Sequence, residues 1–436
     1  MSEREHHSQM ETRPKESLLT IIAICSFGIM PIVDSFNGAF QQSHIADIYR
    51  LFLTIYVFFF LFFGKKIIFE QSLQMLLVVF FFGTLIMLQY FFLYGYHVPL
   101  VKDLKSLMRI LLTIIFYAYF YKLIQLKLIT KEQLKDMLLL IALGYSACII
   151  LPFLFGKGLA TYDIFGSGTL SADQGVGFKA YFLEVNSLSA ILIGLVTLCG
   201  EECLASIKQN SYRYTILVGI LFLGIWLSLL LTSTKTSLVY GIFYFILFVG
   251  RMLLSKKLRM IFKLYGIFSI NLIFLLLKSL FLPKFVESVN GVLARGFYFF
   301  DLMDGNWIQF LTSNRSVWLV LNWQQLLSSK HFLFIHFFGA GYYINVDFPL
   351  ARRILAEMDL FDFYFSYGLV GYLLYISYFK TSLIHFYKAE KDSVSWMFLT
   401  LFIYSIFAGH VFVNAMAATL LAIIFAYFTA RQESSE

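Results

Sequence analysis

Charged residues are scarce in this chain: Asp, Glu, Lys and Arg make up 14% of its 436 residues, and hydrophobic types make up 59%. That little charge cannot clothe a soluble surface, and a mean hydropathy of +0.77 indicates a polytopic membrane protein. Proline is also sparse, at six residues. Pro31 and Pro152 fall towards the outer ends of apolar spans, and Pro14, Pro99, Pro283 and Pro349 fall outside them. No matched pair of Gly/Pro-broken spans therefore marks the two halves of a secondary transporter. An internal repeat is absent too, as is an ionisable residue deep in a span that would serve as a coupling site. Cysteine is limited to Cys25, Cys148, Cys199 and Cys203, none with metal-ligand partners at suitable spacing. Cys199 and Cys203 lie one helical turn apart at a span end, zinc and disulfide roles are discounted for them, and the two are expected to be buried small hydrophobes. The opening MSEREHHSQMETRPKE lacks the basic and short apolar regions of a cleaved signal; residues 1–16 are expected as a cytoplasmic tail and the first span is kept.

What the chain has is apolar runs. A membrane helix needs roughly 20 mostly apolar residues, and about twelve spans follow: Ser17 to Phe36, Ala46 to Phe63, Leu73 to Tyr94, Ser106 to Leu123, Met137 to Phe155, Ala180 to Cys199, Thr215 to Leu231, Ser237 to Leu253, Leu264 to Leu282, Phe361 to Phe379, Trp396 to Ala408 and Val411 to Ala430. The last two are short for full crossings and are separated only by Gly409 and His410. The expected fold is an all-α polytopic integral membrane protein. It forms a single integral domain over residues 1–436, with one long outward-facing loop containing amphipathic helices.

Basic residues orient these spans. With the N-terminus inside, the cytoplasmic turns receive Lys65 and Lys66, then Lys122 to Lys135, then Arg251 to Lys263, then Lys380 to Lys391, as the positive-inside rule requires. Both termini are then cytoplasmic. Topology accounts for most of the net charge of +8, and nucleic acid is not expected as a partner. Two outward segments of substance remain, about Gly156 to Lys179 and residues 283–358, and both carry basic residues that orientation does not explain.

In the long segment, Thr312-Ser313-Asn314-Arg315 precedes SVWLVLNWQQLLSS. On a helix, Asn322, Gln325 and Ser329 fall within about 80° of Arg315, with Ser313 or Asn314 placed to cap the start. Arg315 then stands in a first turn, where the dipole disfavours positive charge. An anion bridging its guanidinium and the free amides removes the conflict, and phosphate is the natural ligand; snorkelling to lipid headgroups is the competing role. Glu357, Asp359 and Asp362 follow, the two aspartates about 60° apart on one helix face. Acids at a helix N-terminus are favoured by the dipole, which is one reading; three exceed what capping needs, and a carboxylate general base among them is the other. Gly339 and Gly341 bracket a small-residue turn able to bring backbone amides to a ligand. Lys179, Glu184 and Asn186 lie at the mouth of a span, and Lys235 lies in the tight turn TSTKTS.

These residues carry a resemblance. The chain resembles bacterial O-antigen and capsular polysaccharide polymerases (Wzy-like), members of the O-antigen ligase/polymerase superfamily. The shared features are LEVNSLSA with Asn186, TSTKTS with Lys235, NRSVW with Arg315, GAG with Gly339 and Gly341, and EMDLFDFYFSYGLVGY. They are short, so their order and spacing carry the likeness. Lys235 stands where an Arg is common, which keeps the charge and loses bidentate geometry. EMDLFD stands where the ligase branch usually offers a His, which favours a polymerase.

The resemblance implies an enzyme of the bacterial inner membrane. It would transfer a growing glycan from undecaprenyl pyrophosphate to a new lipid-linked repeat at the outer face. Arg315 is the main pyrophosphate ligand, with Lys235, Arg295 and Lys179 as secondary cations. Glu357 or Asp359 is the base, Asp362 supports, and Asn186, Gly339 and Gly341 line the substrate. No cofactor is implied, and transfer is expected to be metal-independent because no Asp-x-Asp lies in an outward loop. Membrane lipids, a chain-length regulator and a flippase are the implied partners. An O-antigen ligase is the nearest alternative, followed by a lipid-linked-oligosaccharide flippase or transporter.

Overall fold

The computed structural model describes residues 13–40, 43–63, 69–93, 100–162, 176–209, 211–254, 271, 290, 297–298, 300–341 and 356–433. It is about 82% helical, and among the described residues eight helices are long and apolar enough to cross a membrane. Helices α1 (Arg13–Gly28) and α2 (Met30–Ala39) together form the first, interrupted at Ile29, with Pro31 in the first turn of α2 where its missing N–H costs nothing. The other seven are α3 (Ile45–Phe63), α4 (Phe69–Phe92), α5 (Leu100–Gln125), α6 (Lys131–Leu154), α7 (Val185–Lys208), α8 (Tyr212–Thr232) and α9 (Lys235–Leu254). A small antiparallel hairpin, β1 (Leu159–Tyr162) and β2 (Val176–Ala180), lies between α6 and α7, in the first of the two segments expected to face outwards.

Within the described part of the long charged segment lie the short helices α10 (Trp307–Leu311), α11 (Arg315–Ser328) and α12 (Phe332–Phe338). After it come α13 (Asp359–Tyr378), α14 (Lys380–Lys388), α15 (Ser393–Phe407) and α16 (Ala415–Glu433). Each expected span from Ser17 to Leu253 coincides with a helix, and the three C-terminal ones overlap α13, α15 and α16. The expected span Leu264 to Leu282 and the cations Arg295, Arg352 and Arg353 lie outside the described residues.

Burial separates the centre from the rim. In α5 and α7, 83% and 89% of the apolar window is buried, against 28–44% in the other long helices. The third central element is α16, packed along α5, where Ala417, Ala418, Ala422 and Ala426 let the backbones approach closely. The outer helices present Phe52, Phe80, Ile216 and Val239 outwards, as helices bathed in hydrocarbon do. Some ionisable side chains within helices are paired near the ends, as with Lys135 Nζ and Glu202 Oε1 at 2.7 Å, or Glu201 and Arg251. Both pairs lie at the end assigned by charge to the cytoplasm.

Helix α13 is broken rather than continuous. Gly368 adopts φ 67°, ψ −174°, a conformation that L-residues with side chains avoid. The break frees the carbonyls of Phe365 and Ser366, which accept from Ala340 N at 2.9 Å and Gly341 N at 3.0 Å. The Gln89 amide donates to the carbonyls of Phe338 and Ser366, at 2.6 and 2.7 Å. Non-helical backbone at membrane depth is tolerated only where protein satisfies it in this way. It follows that the turn spends the Ala340 and Gly341 amides on α13 and the Gly339 amide on the Ile335 carbonyl, and does not present them to a ligand, contrary to the expectation from sequence.

A Cβ on Gly368 would stand 2.3 Å from the Phe337 carbonyl oxygen. Gly368→Ala is expected to destabilise the protein by about 3 kcal/mol or more, from strain and collision together. Thermal unfolding in detergent, followed by size-exclusion chromatography, checks this; an unchanged midpoint refutes it.

Candidate functional site

Arg315 is delivered by two short helices in succession. Asn306 caps α10, its Oδ1 accepting from Ile308 N and Gln309 N at 3.0 and 3.2 Å. Ser313 and Asn314 then both take left-handed backbone, φ 50° and 68°, and turn the chain into α11. Neither caps α11 through its side chain as expected; Thr312 Oγ1 instead accepts from Ser316 N at 3.3 Å. The polar strip of α11 faces the protein, with Asn322 and Ser329 buried, while Val320, Leu321 and Leu327 are exposed. This inversion relative to a soluble helix suits one lying against lipid.

The Arg315 guanidinium, with only 11% of the side chain exposed, meets Glu357: Nη2 lies 2.9 Å from Oε2. A carboxylate brought from 42 residues away thus offsets the positive end of the α11 dipole. His410 joins them, its Nε2 3.7 Å from the same Glu357 oxygen, an ion-pair distance. Sequence reading treated Gly409-His410 only as a break between two short spans. The signal available was that a two-residue break between such helices needs unusual backbone, and both residues have positive φ, 64° and 63°. Gly409 is required there, because a Cβ would stand 2.4 Å from the Glu357 carbonyl oxygen.

The three acids have different surroundings. Asp359, 1% exposed, accepts from the backbone amides of His410, Val411 and Phe412 at 2.7, 2.6 and 2.8 Å. Asp362, 3% exposed, accepts from Ala356 N and Met358 N at 2.9 and 3.1 Å. Both carboxylates are occupied in gathering backbone. Glu357, held in left-handed conformation at φ 55° between them, leaves 46% of its side chain open. The His410 imidazole and the Arg315 guanidinium outweigh its partial burial and hold its carboxyl at about 2. Burial works against charge on His410, but Glu357 and Asp359 outweigh it, so its pKa is raised above the usual histidine value.

The remaining cations approach the same end. Lys235 opens α9 with its Nζ 3.9 Å from the centre of the Phe310 ring, in α10 just ahead of Arg315. Its turn is locked by Thr234 Oγ1, which bonds Ser237 N and the Ser189 hydroxyl at 3.1 and 3.2 Å. Lys179 lies on β2, two residues from Gly177, which packs against Thr232 and Ser233 of that turn. Burial lowers its pKa. The Asn186 carbonyl accepts from the Tyr404 hydroxyl at 3.3 Å. Gly339 and Gly341 sit at the α13 break. Among the described residues no group of three or more His, Cys, Asp or Glu side chains is placed to hold a metal.

Chemically, a guanidinium bridged to a half-open carboxylate is an exchangeable pair. An incoming anion competes with Glu357 for Arg315, and a carboxylate so released becomes a stronger base. The pH dependence follows by sign. The His410 contribution is complete below its unfolded value and is lost as pH rises through the raised folded value; that of Glu357 is lost only as pH falls towards about 2. Thermal stability is therefore expected to fall as pH rises above the ordinary histidine value of about 6.5 in the wild type and to be flatter in His410→Gln. Equal slopes would remove the pair. Asp362→Asn, which turns an acceptor into a donor facing amides, is expected to cost about 2 kcal/mol and lower the amount of folded protein, while Glu357→Gln leaves that amount near wild type. Matching losses in quantitative membrane blots would contradict the division of roles.

No protein-family model, curated protein or solved structure matches the chain.

Proposed function

We propose that the protein is a polysaccharide polymerase of the bacterial inner membrane, with both termini cytoplasmic and the Arg315 end of the bundle outside. The observation that carries this is the exchangeable Arg315–Glu357 pair at one end of a bundle of apolar helices. There a lipid-borne pyrophosphate meets a cation, and a carboxylate stands beside the reacting carbon. The order of short sequence features shared with Wzy-like polymerases supports the same assignment.

In the proposed reaction, the pyrophosphate of an undecaprenyl-linked glycan displaces Glu357 from Arg315, and Lys235 adds a second positive charge. Glu357 accepts the proton of a hydroxyl on the incoming lipid-linked repeat. That hydroxyl oxygen bonds to the anomeric carbon as the bond from this carbon to pyrophosphate oxygen breaks, and the electron pair leaves on undecaprenyl pyrophosphate. Charge growing on the leaving group is what Arg315 stabilises. Between the two candidate bases the proposal takes Glu357, since the Asp359 oxygens already accept three amides. An O-antigen ligase would use the same donor, and the nearness of His410 favours it as the second choice; the acceptor, lipid A core or another repeat, separates them.

A deletion strain is expected to display single-repeat glycan in place of a ladder on gels of surface polysaccharide. Arg315→Ala is expected to lower transfer at least about 100-fold and Lys235→Ala less, with both proteins inserted at normal levels. Long polymer from the Arg315→Ala strain rules the assignment out.

A further inference from the structure

We propose that a second cavity at the same end of the bundle is a saccharide-binding site. It has a volume of about 460 Å³ and lies among α2, α3, α5 and the starts of α7 and α16, within the roughly 300–1,000 Å³ of small-molecule sites. Its floor holds an ion pair that sequence reading passed over: Arg50 Nη2 and Asp34 Oδ1, 2.5 Å apart, both side chains less than a tenth exposed. The pair is incomplete. Asp34 Oδ2 and Arg50 Nε are buried without a hydrogen-bond partner, which structural pairs avoid.

Charge defines the ligand. Arg50, Lys105 and Arg109 are balanced around the cavity by Asp34, Asp47 and Glu184, so neither an anion nor a cation is attracted on balance. An anion drawn by these cations would meet the carboxylates lining the same cavity, and a cation would meet the reverse conflict. A hydroxyl serves both, since it donates once and accepts twice. Further polar groups line the rest of the cavity. Arg109, half-buried, has no ion pair or hydrogen bond among the described residues, and the Glu184 carboxylate is oriented by the Ser187 hydroxyl at 2.9 Å and by the Asn414 amide. Phe182, Met108 and Leu112 supply apolar surface. Alternating donors and acceptors beside an apolar wall are what a sugar ring, with its hydroxyls and its C–H face, requires.

Position links this cavity to Arg315. The loop between α15 and α16 carries His410 at the Glu357 pair and Asn414 in the cavity. Four residues span at most roughly 14 Å. A glycan whose pyrophosphate rests on Arg315 can therefore reach the cavity within a few sugar units. The proposal rests on the polymerase assignment only for which glycan is bound.

The test is ligand-observed NMR on the full-length protein in detergent. The probe is the repeat-unit oligosaccharide released from the producing strain's own polysaccharide, without lipid or phosphate. It is expected to bind wild type and Arg315→Ala alike and to bind Arg109→Ala at least tenfold more weakly. Glu184→Gln gives a second, independently folded check with a loss in the same direction. Binding unchanged in both cavity variants overturns the proposal. So does binding of glycerophosphoethanolamine that depends on Arg109 when the oligosaccharide does not bind, which would make the cavity a phospholipid-headgroup site. A deletion strain that still makes long polymer overturns the polymerase assignment instead. The cavity is then judged by the same Arg109 criterion on a panel of unrelated neutral oligosaccharides, and an Arg109-independent result throughout overturns it.

Discussion

Two buried aspartates hold the Arg315 end of this protein together. Asp362 collects the amides of Ala356 and Met358, and Asp359 collects those of His410, Val411 and Phe412. A carboxylate buried among apolar side chains is tolerable when amides surround it, and a loop backbone buried there is tolerable when carboxylates accept from it. Each solves the other's desolvation problem. The consequence is geometric: Ala356 and Met358, which flank Glu357, are pinned by one aspartate and residues 410–412 by the other, while Glu357 takes left-handed backbone and meets Arg315 and His410.

The α13 break works by the same rule. Gly368 ends one helical segment, and the carbonyls this exposes are taken up by the Gly339–Gly341 turn and by Gln89 from α4. The short helices of the long segment are thereby tied to the bundle by backbone hydrogen bonds as well as by apolar contact. That connection sets how Arg315, at the start of α11, is aimed. A cation at a helix N-terminus is unfavourable alone; next to a half-open carboxylate it becomes a pair that an incoming phosphate can divide.

The two polar regions at this end differ in kind. Around Arg315 the cations are uncommitted or held by exchangeable partners, as with Lys235 over the Phe310 ring. Around Arg50 the charges cancel and the unmet needs are those of hydrogen bonding. One is suited to charge and the other to hydroxyls, and the same short loop joins them. A lipid pyrophosphate bearing a glycan has both kinds of chemistry in one molecule.

Much of the fold was legible in the chain. Apolar runs of span length are a property of composition and spacing alone, so the helices from Ser17 to Leu253 appear where the hydropathy places them, and the charged stretch carries short helices whose apolar faces turn outward. Arg315 and Glu357 were also marked, because charge at a helix start and acids before a span are local facts. What sequence could not weigh was which acid is free. Glu357, Asp359 and Asp362 look alike in a row of residues, and only the tertiary fold brings amides from 410–412 to one of them and a guanidinium to another. His410, Asp34, Arg50 and Arg109 were unremarkable for the same reason: their meaning lies in partners contributed by other helices. The sequence by itself determined a membrane-spanning helical protein with charge gathered in one long segment, since partitioning into lipid depends on local composition. The tertiary structure alone decided which charges are spent on backbone and which remain for a ligand, since that depends on what distant segments leave unsatisfied.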